Sequence, residues 1–104
     1  MGEHAVVIST AGSEDEARRI ASALVERRLA ACVNVVPGIH SVYRWKDAIE
    51  QAEEWMLVVK TRRDRFDDVR AAIRELHSYE LPEAVMLELS AGDPRYLAWI
   101  DSCL

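Results

Sequence analysis

The sequence predicts an α+β domain in which two helices cover one face of a four-stranded antiparallel sheet. Two observations predict it. Apolar runs typical of strands alternate with two amphipathic helical segments, and their order is strand, helix, strand, strand, helix, strand. The composition, with 50% hydrophobic and 30% charged residues, is ordinary for a globular protein, so we expect a single domain over residues 1–104.

The first strand and the first helix are predicted in the first quarter of the chain. Ala5–Ile8 is a short apolar run rich in β-branched residues, as in a buried strand. Ser13 then begins a helix, and Glu16 completes a capping box with it. Apolar residues follow at the spacing of one helical face: Ala17, Ile20, Ala21, Leu24 and Val25.

A long hairpin is predicted in the middle of the chain. Its first strand, residues 31–45, is interrupted at Pro37-Gly38, where we expect a bulge or a sharp bend because proline donates no hydrogen bond. A polar turn at residues 46–48 leads to a second long strand, which ends in the apolar run 55–60.

The second half of the chain repeats the pattern of helix and strand. The second helix begins near Arg63, and its inner face carries Phe66, Val69, Ile73 and Leu76. An irregular segment, residues 77–82, precedes a fourth strand at residues 84–89. Asp93 is the predicted N-cap of a last helix, with Pro94 at its first position. The order βαββαβ with an added C-terminal helix is the ferredoxin-like arrangement.

The two long strands predict self-association. Strands of ~11–15 residues reach roughly 35–50 Å, whereas a domain of this length has a radius of gyration of ~13 Å. The overhanging part is apolar and carries Ile39, Val42, Tyr43, Trp45 and Ile49. Unpaired backbone and apolar side chains at such an edge favour a second subunit. In the alternative interpretation, the hairpin bends back at Pro37 and buries its own aromatic residues.

The net charge, the apolar stretches and the cysteines of the chain disfavour several classes of partner and location. The net charge of −5 and the pI near 5.1 disfavour binding to nucleic acid or to an anionic membrane surface. No stretch approaches the ~20 apolar residues that span a bilayer, and residues 1–4 lack a signal-peptide pattern. Cys32 and Cys103 lie far apart and indicate no disulfide framework, so we expect a cytoplasmic protein.

Several short sequence motifs, spread over the chain, occur in a characteristic order and at characteristic distances. They are Val6–Ala11, Leu29–Gly38, Ser41–Trp45, Val59–Thr61, Leu76–Glu83 and Tyr96–Ile100. In register over nearly the whole chain, they resemble the CutA family of divalent-cation tolerance proteins. The resemblance implies a cytoplasmic homotrimer associated with tolerance to copper and other divalent metals. It also implies an architecture related to the PII signalling trimers, whose effectors bind between subunits.

The sequence departs from this family at two positions linked to copper. Some CutA proteins have a cysteine at the end of the first strand and two adjacent histidines after the second helix, where this chain has Ser9 and Leu76-His77. Copper prefers thiolate and imidazole ligands, so His77 and Cys32 are the candidate metal ligands. The alternatives are that Cys32 is a small buried hydrophobic residue and that His77 caps the preceding helix.

A ligand cleft is predicted around the irregular segment that follows the second helix, because such polar segments on a rigid scaffold often form binding sites. Tyr79 and Glu80 are its polar residues, Lys60 could supply a cation, and Trp45 could line a wall. The alternatives are a Lys60–Glu80 ion pair that only fixes the loop, and a role for the aromatic residues in a subunit interface.

Catalysis is the least supported function. Acylphosphatases share the predicted fold and size, but they need a phosphate-binding loop after the first strand, where this chain has the acidic segment 9–15. No histidine–acid pair is evident to activate Ser9 as a nucleophile. We therefore expect no enzyme and no organic cofactor, and a homotrimer that binds a divalent metal such as copper. The alternative is a PII-like signalling or scaffold trimer that binds a small effector between subunits and passes a signal to a protein partner.

Overall fold

The computed structural model describes residues 3–104 and confirms the predicted order of elements. The elements are β1 (His4–Ala11), α1 (Glu14–Glu26), β2 (Cys32–Trp45), β3 (Ala48–Arg62), α2 (Phe66–Leu76, after the 3-10 turn Arg63–Arg65), β4 (Val85–Glu88) and α3 (Pro94–Cys103). The strands form one antiparallel sheet in the order β2-β3-β1-β4. Among residues 3–104, no helix is long and apolar enough to cross a membrane.

The hydrophobic core lies between one face of the sheet and the helices α1 and α2. Alternate residues of β1 are buried, which is the two-residue period of a strand with one covered face. The core residues of the remaining elements include Ile20, Leu24, Leu57, Val59, Val69 and Ile73. Val25, which the helical pattern placed on this face, is 43% exposed because it lies at the edge of the apolar stripe of α1.

The central hairpin overhangs this core, as predicted. The molecule measures 44 × 26 × 23 Å, and at the tip of the hairpin Val42 and Ile49 remain about 60% exposed, at 61% and 60%. The hairpin does not bend back at Pro37 to bury its aromatic side chains, since Tyr43 and Trp45 are also partly exposed.

Two local backbone features shape the hairpin. The register shifts between Val36 and Ile39, and Gly38 in this bulge has a φ of 74°, a conformation that glycine adopts at less cost than other residues. At the tip, Lys46 and Asp47 have φ values of 50° and 67°, as in the two-residue type I′ turn that matches the twist of antiparallel strands.

The second face of the sheet is only partly covered. The helix α3 covers the end where His4 and Arg62 lie side by side, and both bind the carboxylate of Asp101, at 2.9 and 2.7 Å. Ile100 of α3 is buried, so this helix docks as expected. Beyond α3, no element within residues 3–104 covers this face. We call it the open face; its apolar residues are Val6, Ile8, Val58, Val85 and Leu87, and Cys32, Asn34 and Lys60 lie beside them at paired positions.

Several boundaries differ from the sequence prediction; the helix α2, for example, begins at Phe66 after the 3-10 turn and not near Arg63. The strand β1 continues to Ala11, because β3 pairs with it along its full length as far as Trp55. The strand β4 covers Val85–Glu88, which pair with β1, and the backbone N–H of Leu89 adds one further hydrogen bond to the carbonyl of His4.

Candidate ligand-binding cleft

A cleft lies where the segment after α2 crosses the end of β1, and it runs along the hairpin from Glu54 to Trp45 beside the turn. Its volume is ≈590 Å³, within the range of small-molecule sites. We call it the Tyr79 cleft, and its lining residues are Thr10, Ser41, Tyr43, Trp45, Glu54, Ser78, Tyr79, Glu80, Leu81 and Glu83.

The imidazole of His77 fixes the start of this segment. Its ring is fully buried, Nε2 donates a 2.7 Å hydrogen bond to the carbonyl of Thr10, and Nδ1 accepts a 3.1 Å hydrogen bond from the backbone N–H of Tyr79. Both ring nitrogens are therefore used within the fold. His77 is the C-cap residue of α2 and its backbone N–H donates to the carbonyl of Ile73, but its side chain does not bond the last carbonyls and instead connects the end of α2 to β1.

Glu16 supports the same segment from α1. Its backbone N–H binds the hydroxyl of Ser13 at 3.2 Å, so the predicted N-cap is present. The Glu16 carboxylate, however, accepts a 2.9 Å hydrogen bond from the N–H of Ser78, 62 residues away. The capping box is thus only half formed, because its acid stabilises the start of the cleft.

Tyr79 crosses the cleft to reach the hairpin. Its phenol donates a 2.7 Å hydrogen bond to Oε2 of Glu54. Burial and this hydrogen bond raise the pKa of Tyr79 well above its ordinary value, so the phenol stays a donor at neutral pH. A Cβ atom on Gly12 would lie 2.9 Å from the Tyr79 hydroxyl, so the absence of a side chain there permits the crossing.

The inner end of the cleft holds negative charge that the chain does not balance. Glu54 is only 6% exposed, and among residues 3–104 no lysine, arginine or histidine forms an ion pair with it. Burial of its carboxyl and the nearby charge of Glu54 raise the pKa of Glu83, a second acid of the same cleft. A buried carboxylate without a cationic partner lowers the stability of the fold, so a bound cation would stabilise this end of the cleft.

The outer end of the cleft already holds a cation from the hairpin turn. The ammonium of Lys46 lies 5.6 Å from the centre of the Trp45 ring and 3.9 Å from Oε1 of Glu80. The first distance is within the ~6 Å range of a cation–π contact. Both charged side chains remain largely exposed, so this pair is open to exchange with solvent or with another cation.

Of the predicted cleft residues, the structure brings three together and places one elsewhere. Trp45, Tyr79 and Glu80 line the Tyr79 cleft. Lys60 does not line it; this residue lies at the other end of β3, where its ammonium hydrogen-bonds the side chain of Asn34. Glu80 is paired with Lys46 instead of Lys60.

Cys32 and His77 do not form a copper site within one chain. The imidazole binds Thr10, whose partner on β3 is Met56, whereas Cys32 pairs with Lys60, roughly 13 Å further along that strand. Neither ring nitrogen of His77 is free for a metal. No group of three or more histidine, cysteine, aspartate or glutamate side chains able to hold a metal ion occurs within residues 3–104. Their role as ligands stays a prediction.

Sequence reasoning missed Glu54 and Glu83, which give the cleft its charge, and the cation of Lys46. Glu54 precedes Trp55 in a strand whose outward half is polar, and nothing in its immediate sequence separates it from its exposed neighbour Glu53. Glu54 can be recognised only from its hydrogen bond with Tyr79, which lies in a distant irregular segment and reaches Glu54 only in the folded chain.

The fold, the overhanging hairpin and the polar cleft define a small ferredoxin-like α+β protein with one open sheet face. Residues 5–103 match the family model described as CutA1 divalent ion tolerance protein, and the chain belongs to this family. The predicted family is therefore confirmed.

Individual relatives agree with this assignment. The chain is 46% identical over 95 residues to the divalent-cation tolerance protein CutA of Thermus thermophilus, covering 91% of this chain and 92% of that protein. The CutA structure from Xylella fastidiosa is 38% identical, covers 97% of both chains and has a TM-score of 0.94. The chain spans 60% of the Xenopus laevis CutA homologue and 52% of the chloroplastic CutA of Arabidopsis thaliana. None of these names is that of an enzyme.

Proposed function

We propose that this protein acts in divalent-cation tolerance as a cytoplasmic homotrimer that binds a cationic ligand in the Tyr79 cleft. The observation that carries the proposal is Glu54, a carboxylate 6% exposed at the inner end of the cleft with no cationic partner among residues 3–104. A ligand of positive charge is the simplest way to stabilise this arrangement.

Self-assembly is supported by two exposed apolar surfaces. On the open face, Val85 and Leu87 are 49% and 57% exposed, beside the half-buried Ile8 and Val58. The hairpin adds a second exposed group at its tip. Contiguous apolar surface of this kind is typical of protein interfaces, and the resemblance to CutA implies that three copies cover it.

The position of the cleft favours a ligand bound beside a subunit boundary. Thr10 and Glu54 line the cleft, and they stand at alternate positions from Ile8 and Val58, so all four belong to the same side of their strands. A neighbouring subunit on the open face would border the cleft. This geometry also supports the second candidate function, a PII-like trimer in which a bound effector changes the contact between subunits.

The donors of the cleft suit hard cations better than copper. Carboxylate and hydroxyl oxygens prefer ions such as Mn²⁺ or Mg²⁺, whereas copper prefers the thiolate and imidazole of Cys32 and His77. Those two groups do not fit copper within one chain, for the reasons given above. We therefore propose cation binding at Glu54 rather than at Cys32 and His77.

Calorimetric titration with Mn²⁺ tests the proposal. We expect Glu54→Gln to weaken Mn²⁺ binding by at least about tenfold, because the amide still accepts the Tyr79 hydrogen bond but carries no charge. Cys32→Ser should leave the affinity unchanged. Glu26→Gln, which removes an exposed carboxylate at the end of α1, is the matched control. Binding that survives Glu54→Gln, or that is lost in Cys32→Ser, would overturn the assignment.

A further inference from the structure

We propose that the ligand of the Tyr79 cleft is an aliphatic diamine or polyamine. One ammonium group lies beside Glu54 and Glu83, and the other lies on the Trp45 ring beside Glu80, where it replaces Lys46. This inference deepens the proposed function and rests on it, since both need the cleft to receive a cation.

The shape of the cleft favours an extended organic cation over a single metal ion. Within the described chain, residues 3–104, its carboxylates do not converge into a group of three that could hold a metal, so Mn²⁺ bound at Glu54 would keep most of its water ligands. They are instead spread along a cleft of ≈590 Å³ that is also lined by the rings of Tyr43 and Trp45. Aliphatic carbons between two ammonium groups would contact these rings, which a hydrated metal ion cannot do.

Lys46 shows which chemistry the outer position accepts. Its side chain is a primary ammonium on a four-carbon stem, and it already contacts both the Trp45 ring and the Glu80 carboxylate. The chain thus places an alkylammonium at the mouth of its own cleft. A diamine has the same charged group, so it would compete with Lys46 for this position.

The inner position requires a second ammonium group. Glu54 uses Oε2 to accept the hydrogen bond of Tyr79, while Oε1 is not among the fully buried, unpaired polar atoms of residues 3–104 and so remains accessible from the cleft. An ammonium group offers three donors, which suit this oxygen and the neighbouring carboxyl of Glu83. The pKa of Glu83 is raised partly by the charge of Glu54, so a cation between the two acids would stabilise both.

The test is calorimetric titration with 1,4-diaminobutane at about 0.15 M NaCl, where nonspecific surface attraction is screened. Butylamine, with one ammonium group, is the probe for a single position. Lys46→Asn removes the competing cation and keeps the type I′ turn, because asparagine favours the positive φ of this position. Arg18→Gln removes a positive charge on α1, and Glu26→Gln a negative one, as matched controls.

We expect 1,4-diaminobutane to bind more tightly than butylamine. Lys46→Asn should raise its affinity several-fold, and Glu54→Gln should lower it by at least about tenfold, while both controls leave it unchanged. Circular dichroism of each variant checks that the fold is kept.

Three outcomes would overturn the inference. If Mn²⁺ binds in a manner that depends on Glu54 but 1,4-diaminobutane does not bind, the ligand class is wrong and the proposed function stands. If neither cation binds, the proposed function fails as well. If Lys46→Asn weakens diamine binding, Lys46 is not a competitor and the outer position is wrongly assigned.

Discussion

The phenol of Tyr79 donates a 2.7 Å hydrogen bond to the buried carboxylate of Glu54. This bond joins two parts of the chain that are 25 residues apart, the segment after α2 and the strand β3 at the base of the hairpin. Two residues before Tyr79, in the same segment, His77 donates a hydrogen bond to the carbonyl of Thr10 on β1. The two hydrogen bonds therefore link β1 and β3 through the segment that lines the cleft. A change in the hairpin is therefore expected to reach the cleft.

The first prediction concerns ionisation of Tyr79 at high pH. Burial and the hydrogen bond to Glu54 raise its pKa above the ordinary value of about 10, so the folded state holds the phenolic proton more tightly than the unfolded state. The resulting stabilisation is complete below pH 10 and is lost as the pH rises towards the higher folded value. Titration of tyrosinate absorbance should show one of the three tyrosines ionising later than the others.

Tyr79→Phe is the control for that titration. In this variant the late step should vanish, while the absorbance change of the remaining tyrosines is kept. A late step that persists in Tyr79→Phe would show that another tyrosine is responsible.

A second prediction compares two buried hydroxyl groups. The Ser9 hydroxyl is fully buried without a hydrogen-bond partner in the described chain, whereas the hydroxyl of Thr61, equally buried, donates to the carbonyl of Leu29 at 2.7 Å. Ser9→Ala should raise the free energy of unfolding by about 1 kcal/mol, and Thr61→Val should lower it by a similar amount. Urea unfolding at one protein concentration measures both. Destabilisation by Ser9→Ala would mean that its hydroxyl is satisfied.

A third prediction is that Glu54→Gln stabilises the fold although it weakens cation binding. The amide keeps an acceptor for Tyr79 and takes away a buried charge that has no cationic partner among residues 3–104. We expect a gain of about 1 kcal/mol in the free energy of unfolding without added cation. The same variant should bring the pKa of Glu83 closer to its usual range, which a carboxyl NMR titration can follow. A less stable variant would indicate that Glu54 is already compensated.

A fourth prediction concerns the bulge of β2. Gly38 has a φ of 74°, and a Cβ atom there would meet nothing within 4 Å, so any cost of substitution is conformational and not steric crowding. Gly38→Ala should therefore lower the free energy of unfolding by roughly 1 kcal/mol. Gly92→Ala is a different case, because its Cβ would contact the side chain of Leu97 at 2.9 Å. An unchanged stability in Gly38→Ala would contradict the strained backbone at the bulge.

Local sequence was sufficient for the elements and for the overhang of the hairpin. The capping serine of α1, the Pro37-Gly38 interruption and the Asp93-Pro94 start of α3 each act through neighbours a few residues away, and the structure shows each of them. The overhang of the apolar hairpin tip could also be predicted, because the two strands are longer than the core.

The hydrogen bonds that form the cleft could not be predicted from the sequence in the same way. His77 binds a carbonyl 67 residues earlier in the chain, Glu16 binds the amide of Ser78, and Glu54 meets Tyr79 across the sheet. Each partner depends on register and on the path of an irregular segment. Lys60 shows the converse error: it was placed at the cleft because it ends an apolar run, but it lies at the opposite end of β3.

The mass of the particle in solution tests the proposed assembly most directly. Sedimentation equilibrium of the unmodified protein at micromolar concentration should give about 35 kDa, three times the 11.8 kDa of one chain. Val85→Lys on the open face should shift the distribution towards smaller species, whereas Val25→Lys, at a similarly exposed valine of α1, should not. A folded unmodified protein that sediments as a single 11.8 kDa chain would contradict the proposed homotrimer.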